Sequence, residues 1–423
     1  MAAARNLIGG GRIWMMRCAK NLMFYSTALA LAGAVLGGVP ASAEKKYDPG
    51  VTDTEIKIGQ TMPYSGGASA YGTIGRAELA YFKMINDHGG VNGRKINLIS
   101  VDDGYSPPKT AEQVRRLVEQ EEVFLLFSNV GTAPNVAIHK YVNARKIPHL
   151  FVSSGSSQWA NPKEFPWTMG WTPSYRTEGA IFARYLLETM PNAKIAFSGQ
   201  NDDAGKDYRA GFADGLGDRA KSMIVAETTY EATDPTVDSQ VVAMAGSGAN
   251  VFFNGGTSKF VAQAIRKAYD IGWKPVEIIP SVASSVDSVL KPAGLEKTIG
   301  TITAQYLKDP TDAKWENDPE LAEWRGFMDK YYPEGSKADY FNVYASAIAA
   351  SLVQVLKQSG DELTRENVMR QAASMKDVKI PLLLPGIRLN TSPTDFSPIK
   401  QMQLAKFNGK GWELFGSLIG KPQ

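Results

Sequence analysis

The chain has 423 residues, with 46 Lys and Arg against 43 Asp and Glu, for a formal charge of +3. Four of those positive charges (Arg5, Arg12, Arg17 and Lys20) fall in the first 43 residues and the rest of the chain carries −1, so net charge gives no basis for nucleic-acid binding. The single cysteine, Cys18, also lies there, which excludes disulfides and cysteine metal ligands from residues 44–423.

The opening residues read as a secretory signal. A basic leader precedes the apolar stretch Leu22 to Val39, and Ala41-Ser42-Ala43 gives the small-residue cleavage pattern, with Glu44 as first mature residue. The apolar stretch is too short and too rich in Gly and Ala for a lasting anchor, and nothing after residue 43 approaches spanning length. Met16-Arg17 before Cys18 does not suit lipid attachment. The expectation is export to the periplasm, cleavage after about Ala43, and no stable membrane insertion. About 380 residues then remain, more than one hydrophobic core of roughly 250–300 residues usually serves, which predicts two domains.

Short β-branched strands alternate with amphipathic helices. The pattern predicts strand 55–61, helix 71–88, strand 95–102, helix 107–121, strand 123–128, helix 134–145 and strand 147–152. The stretch 159–175, rich in Pro, Trp and Asn, interrupts the alternation. It resumes with strand 194–199, helix 205–216, strand 222–228, a helix capped by Asp234 with Pro235 in its first turn, strand 250–254, helix 258–271 and strands 276–280 and 299–304. Three helices follow (319–332, 339–358 and 364–374), then strands near 400–407 and 412–415. Such order implies parallel sheets with helices on both faces. The late helices are expected to cover the first sheet and the tail to rejoin the second, with crossings near Gly170–Tyr175, Thr303–Tyr306 and Asp377–Pro385.

Ligands in open parallel sheets bind beyond the carboxyl ends of the strands. Three loops there are rich in Gly and hydroxyls: 63–72, 129–134 and 153–157. Thr132 reads as a helix N-cap with Pro134 in the first turn, leaving free N–H groups suited to a carboxylate. Catalytic patterns fail on spacing. Ser106 and Lys109 are separated by Pro-Pro, and the stretch Gly199 to Lys206 has one residue too many for a phosphate loop, with Asp207 where a Ser or Thr is required. His88, His139 and His149 lack metal-ligand spacing. No enzyme, metal or cofactor is expected.

The ordered set Ile56-Lys57-Ile58-Gly59 with Ser65-Gly66, Ala77 to Asn86, Gly89-Gly90-Val91-Asn92-Gly93-Arg94-Lys95-Ile96, Asp102-Asp103 with Pro107 and Lys109, and Gln263 to Gly272 resembles a known family. It is that of the periplasmic substrate-binding proteins of ABC transporters, of the branched-chain amino acid (leucine/isoleucine/valine-binding) type, and the similarity spans 53–423. The resemblance implies an α/β fold of two Rossmann-like lobes with parallel sheets joined by three hinge crossings, the type I periplasmic-binding-protein fold. The lobes are expected at 44–171 with 307–378, and at 172–306 with 379–423, after a signal peptide at 1–43. It also implies hinge closure on a small ligand and delivery to an ABC permease and its ATPase. A sensor subunit for aromatic or aliphatic carboxylates that partners a signalling protein is the alternative, and a secreted α/β enzyme a weaker one.

Carried over residue by residue, the resemblance places a first-lobe anion site at Tyr71, Thr132, Ser153, Ser154 and Ser156. In the second lobe, the family's pocket aromatics fall at Ala204 and Thr257. The acid that should meet a ligand ammonium is absent from Ser281 to Ala283. An unpaired buried ammonium is costly, so the expected ligand is a carboxylate or amide without one, aromatic or larger than leucine unless Trp171, Tyr175 or Tyr306 fills the space. The opposing expectation is that Asp202, Asp203 or another acid supplies the charge.

Overall fold

The alternation folds into two separate main sheets, beside a two-stranded one of β1 and β12, in the computed structural model, which describes residues 45–420. A short β1 (Lys46–Tyr47) leads to β2 (Glu55–Met62), α1 (Gly72–Asp87), β3 (Lys95–Asp102), α2 (Pro107–Glu119), β4 (Leu125–Phe127), α3 (Thr132–Ala144), β5 (His149–Val152) and β6 (Thr168–Gly170). The second series is α4 (Tyr175–Thr189), β7 (Ile195–Gln200), α5 (Asp203–Leu216), α6 (Ala220–Met223), β8 (Ile224–Tyr230), α7 (Asp238–Gly246), β9 (Val251–Gly255), α8 (Ser258–Asp270), β10 (Val276–Ile278), α9 (Lys291–Ala293) and β11 (Ile302–Gln305). The chain ends with α10 (Pro319–Tyr331), α11 (Tyr340–Ser359), β12 (Glu362–Leu363), α12 (Arg365–Ala372), β13 (Gln401–Phe407) and β14 (Trp412–Gly420).

The first sheet has the order β3-β2-β4-β5-β6 and is parallel throughout. The second has the order β14-β13-β11-β10-β9-β7-β8. Its strands β7 to β11 are parallel, and β13 and β14 add an antiparallel edge. The central strands β4, β5, β7 and β9 are buried along their whole length, as sheets covered on both faces require.

The chain passes between the two sheets three times: after β6, after β11 and before β13. In between, α10 and α11 pack on α1, and α12 packs on α11. Two of the crossing segments are tied together by the bridge Leu307–Leu383, by the Lys308 N–H on Leu382 O at 2.8 Å and by the Leu382 N–H on Glu320 at 3.0 Å, while Lys308 Nζ lies 2.6 Å from Asp318 and 2.9 Å from Glu320. Lys379 joins Glu320 at 2.8 Å.

Two expectations change. The Trp- and Pro-rich interruption contains β6, a fifth strand that too few β-branched residues announce. Helix α7 begins at Asp238 with Val237 at its N-cap, so Asp234 does not cap it. The Asp234 carboxylate accepts the Glu231 N–H at 2.8 Å instead, and its carbonyl accepts Lys259 Nζ at 2.7 Å, closing a turn ahead of the helix. The expected signal peptide lies outside the described residues, among which no helix is long and apolar enough to cross a membrane.

Candidate functional site

In the first sheet the chain runs from β2 to β3 on one side, then to β4 on the other; in the second, β7 leads to β8 and then β9. Loops that diverge at such a reversal leave a crevice at the strand ends. The loops after β2, β4 and β5 and those after β7, β9 and β10 line one shared cavity.

The first-sheet wall is polar. Gly131, at φ +102°, is the N-cap of α3. A Cβ there would come within 2.4 Å of the Tyr105 ring, so backbone and packing both demand glycine. Thr132 is consequently the first residue of α3 rather than its cap, because Gly131 makes the turn into the helix. Its hydroxyl meets that of Ser154 at 2.6 Å. The first N–H groups of α3 have no intrahelical acceptor, and the helix dipole adds positive potential there. Ser153 Oγ lies 2.7 Å from Ser128 Oγ and 2.8 Å from the Tyr344 phenol.

Of the expected residues, Tyr71, Thr132, Ser153, Tyr175, Ala204, Thr257 and Ser281 line the cavity, and Ser154 and Ser156 do not. Ser154 stands behind Thr132. Ser156 points to α5, where Asp207 accepts its Oγ at 3.0 Å, the Ser157 N–H at 2.7 Å and Ser157 Oγ at 2.8 Å. Tyr71 also spans the two sides: its hydroxyl donates to Val282 O at 3.0 Å and accepts the Ser258 N–H at 3.1 Å.

The rest of the lining is largely aromatic, with rings from both sides. Tyr208 stacks on Tyr175 with ring centroids 4.4 Å apart, and Tyr306 and Tyr340 close the space beside them. These rings share the lining with Ala204 and Thr257. The cavity measures about 60 Å³ as space for the centre of a water-sized sphere. Trp171 packs behind, edge-on to Tyr306 and Tyr344, with its indole N–H on Ser351 Oγ at 2.9 Å. Tyr105, Tyr208, Tyr340, Phe341 and Tyr344 were not singled out from sequence. Tyr340 and Tyr344 stand one turn apart at the start of α11, and Tyr208 one turn beyond Ala204 in α5, a spacing that could have revealed them.

None of the described residues lining the cavity carries a charge. Asp202 caps α5 through the N–H groups of Ala204 at 2.9 Å and Gly205 at 3.2 Å, and accepts Gln200 Nε2 at 2.6 Å. Asp203 pairs with Lys206 at 3.1 Å. A different acid, Glu178 of α4, lies directly behind Ser281. It accepts the Ser281 N–H at 2.6 Å, Ser281 Oγ at 3.2 Å and the Tyr208 phenol at 3.1 Å. Complete burial raises its pKa to about 7 against those hydrogen bonds. Three buried polar atoms of the lining, Gln200 Oε1, Thr172 Oγ1 and the Tyr340 hydroxyl, have no hydrogen-bond partner among the described residues. Buried polar groups are normally paired, so these are natural points of contact for a bound molecule.

The residues outside the cavity that sequence patterns bring to mind have other roles. Lys109 pairs with Asp102 at 2.8 Å. His139 stacks on Phe165 at 3.8 Å and His149 is buried in β5; burial lowers their pKa values to about 4 and about 3. Among the described residues no group of three His, Asp or Glu is placed to hold a metal.

The periplasmic binding protein family profile matches residues 55–411. This chain belongs to the periplasmic binding protein family. Its relatives include proteins of the branched-chain amino acid type. Leu/Ile/Val-binding protein homolog 1 of Brucella suis is 24% identical over 338 residues, covering 77% of this chain and 84% of the relative. An amino acid binding protein of Pseudomonas aeruginosa is 20% identical over 72% of this chain and 79% of its own length. Among solved structures, the branched-chain amino acid ABC transporter protein of Thermus thermophilus with bound valine aligns with a TM-score of 0.76, 16% identity, and 88% and 98% of the two chains covered. The fatty acid ABC transporter substrate-binding protein of Thermomonospora curvata aligns at 0.74, 21% identity, and 89% and 95%. These structures share the type I fold with this binding protein.

Proposed function

We propose that this binding protein is the exported receptor of an ABC importer, and that it closes on a small apolar carboxylate and presents it to a permease and ATPase. The observation that carries the reading is the make-up of the cavity: an open helix N-terminus with hydroxyls on one wall, aromatic rings on the other, and no charged side chain in the lining. A carboxylate at the start of α3 gains hydrogen bonds and dipole stabilisation, and the rings cover its hydrocarbon part. An ammonium would have no carboxylate in contact, because Glu178 is already engaged. The solved relatives named for valine and for fatty acid indicate that the fold serves both kinds of head group.

In this reading the lobes are 44–171 with 307–378 and 172–306 with 379–423, and a signal peptide ends near Ala43. The contacts of Tyr71 and Asp207 across the cleft belong to the closed form, which a ligand favours by binding it better than the open form. Calorimetric titration with matched pairs tests the ligand class: valine against 3-methylbutanoate, and leucine against 4-methylpentanoate, with benzoate added. The deaminated acids are expected to bind in the micromolar range and more tightly than their amino acids. Binding of leucine or valine with none by the acids would overturn the reading.

Glu178 favours a second reading, in which an α-amino acid binds and its ammonium is stabilised through Ser281 by the carboxylate behind. In that case Glu178→Gln costs leucine or valine at least tenfold in affinity and leaves the matched acid within threefold.

A further inference from the structure

A second, larger chamber of about 560 Å³ lies outside the inner cavity, at the mouth of the cleft. Three residues line both spaces and therefore form the partition: Tyr105, Gln200 and Thr257. Gln200 ends β7 and Thr257 precedes α8, so both come from the second sheet. Tyr105 comes from the loop after β3 and supplies most of the bulk. Its ring lies over Gly131, beside the open end of α3.

The backbone at Tyr105 is unusual. Its φ is +60°, a left-handed value that a bulky aromatic residue rarely adopts, and Gly104 before it is at +57°. Two aspartates hold the loop in that shape. Asp102 accepts the N–H groups of Gly104 at 3.0 Å and Ser65 at 3.1 Å, and Asp103 accepts those of Tyr105 at 2.9 Å and, through its other oxygen, the Thr110 hydroxyl at 2.8 Å. Backbone held in a sparsely populated region is a pointer to function when the surroundings enforce it. Here the enforced shape sends an aromatic ring between two chambers.

From this geometry we infer that Tyr105 is a gate that sets the upper size of the ligand. With the ring in place, a molecule seated at α3 is confined to the inner cavity. Without it the two chambers join, and a carboxylate held at Thr132 can extend its chain into the outer one. Because the gate is defined by the partition rather than by a head group, it rests on the proposed ligand site but not on the absence of an ammonium.

The test is titration of the purified protein with butanoate, hexanoate, octanoate and decanoate, and with the 2-amino acids of the same lengths. Unaltered protein should lose at least tenfold in affinity between six and eight carbons. In Tyr105→Gly, which suits the left-handed backbone, the octanoate-to-butanoate affinity ratio should rise at least tenfold. Tyr105→Phe keeps the ring and should keep the original length profile; Tyr105→Asn replaces the glycine variant if that one does not fold. An unchanged ratio in the ring-deleted protein, or an equal change in Tyr105→Phe, overturns the gate. Binding by the amino acids alone overturns the proposed ligand class while their length profile still reads the gate. No binding by either series in any of the proteins overturns both.

Discussion

The polar wall of the cavity presents backbone amides and hydroxyls at the start of α3, whereas the aromatic wall, with Tyr208 from α5 and Tyr340 from α11, lies over a carboxylate that is already satisfied. The first arrangement is directional and depends on a few backbone positions. The second is tolerant of shape and gains mainly from area covered. In the proposed reading, the polar site fixes one end of the ligand and the rings select the rest by size. Changes to the two walls should therefore fail in different ways.

The largest expected effect is on the polar wall. Gly131→Ala puts a Cβ against the Tyr105 ring at a backbone angle that favours glycine, and should weaken carboxylate binding by at least a hundredfold in calorimetry. Retention of affinity within tenfold would show that the start of α3 is not the anchor. Thr132→Val removes one hydroxyl from the same wall and leaves Ser154 without its partner, a loss of about 1–3 kcal/mol or roughly fivefold to 150-fold. A matching loss in Tyr208→Phe would break the comparison, since that change removes only a bond to Glu178 from the aromatic wall.

A smaller effect is expected where the two sides meet outside the cavity. Asp207→Ala deletes the acceptor of three hydrogen bonds from Ser156 and Ser157 and should raise the dissociation constant by several-fold, mainly through faster ligand release in stopped flow. Unchanged release would mean that these bonds do not distinguish closed from open protein.

The smallest effect is on pH dependence. Burial raises the pKa of Glu78 and Glu277 to about 8, and that of Glu178 and Asp309 to about 7. Unfolded carboxyls ionise near pH 4, and these four acids outnumber the depressed His139 and His149, which act in the opposite sense below about pH 6.5, so up to about pH 8 the folded chain binds more protons than the unfolded one. Melting temperature should accordingly fall between pH 5 and pH 8, and Glu178→Gln should flatten that slope by its share, most of it below pH 7. A melting temperature that rises over this range would contradict the burial of these four acids.

The periodicity of the sequence determined the order of strands and helices, because burial on one or both faces must be written into each segment. Hydroxyl- and glycine-rich loops after the strands likewise determined the polar wall, since its groups are backbone amides and the side chains next to them. Tertiary structure alone decided the aromatic wall. Tyr208 and Tyr340 come from helices far apart in the chain, and only the packing of α5 and α11 toward the cleft brings them together. It also decided the fate of the missing acid: Glu178 on α4 reaches Ser281 across 103 residues of sequence, so no local pattern could announce it. Strand β6 and the late start of α7 escaped for a related reason, since pairing with β5 and the hydrogen bond from Lys259 to the Asp234 carbonyl outweighed what local propensity proposed.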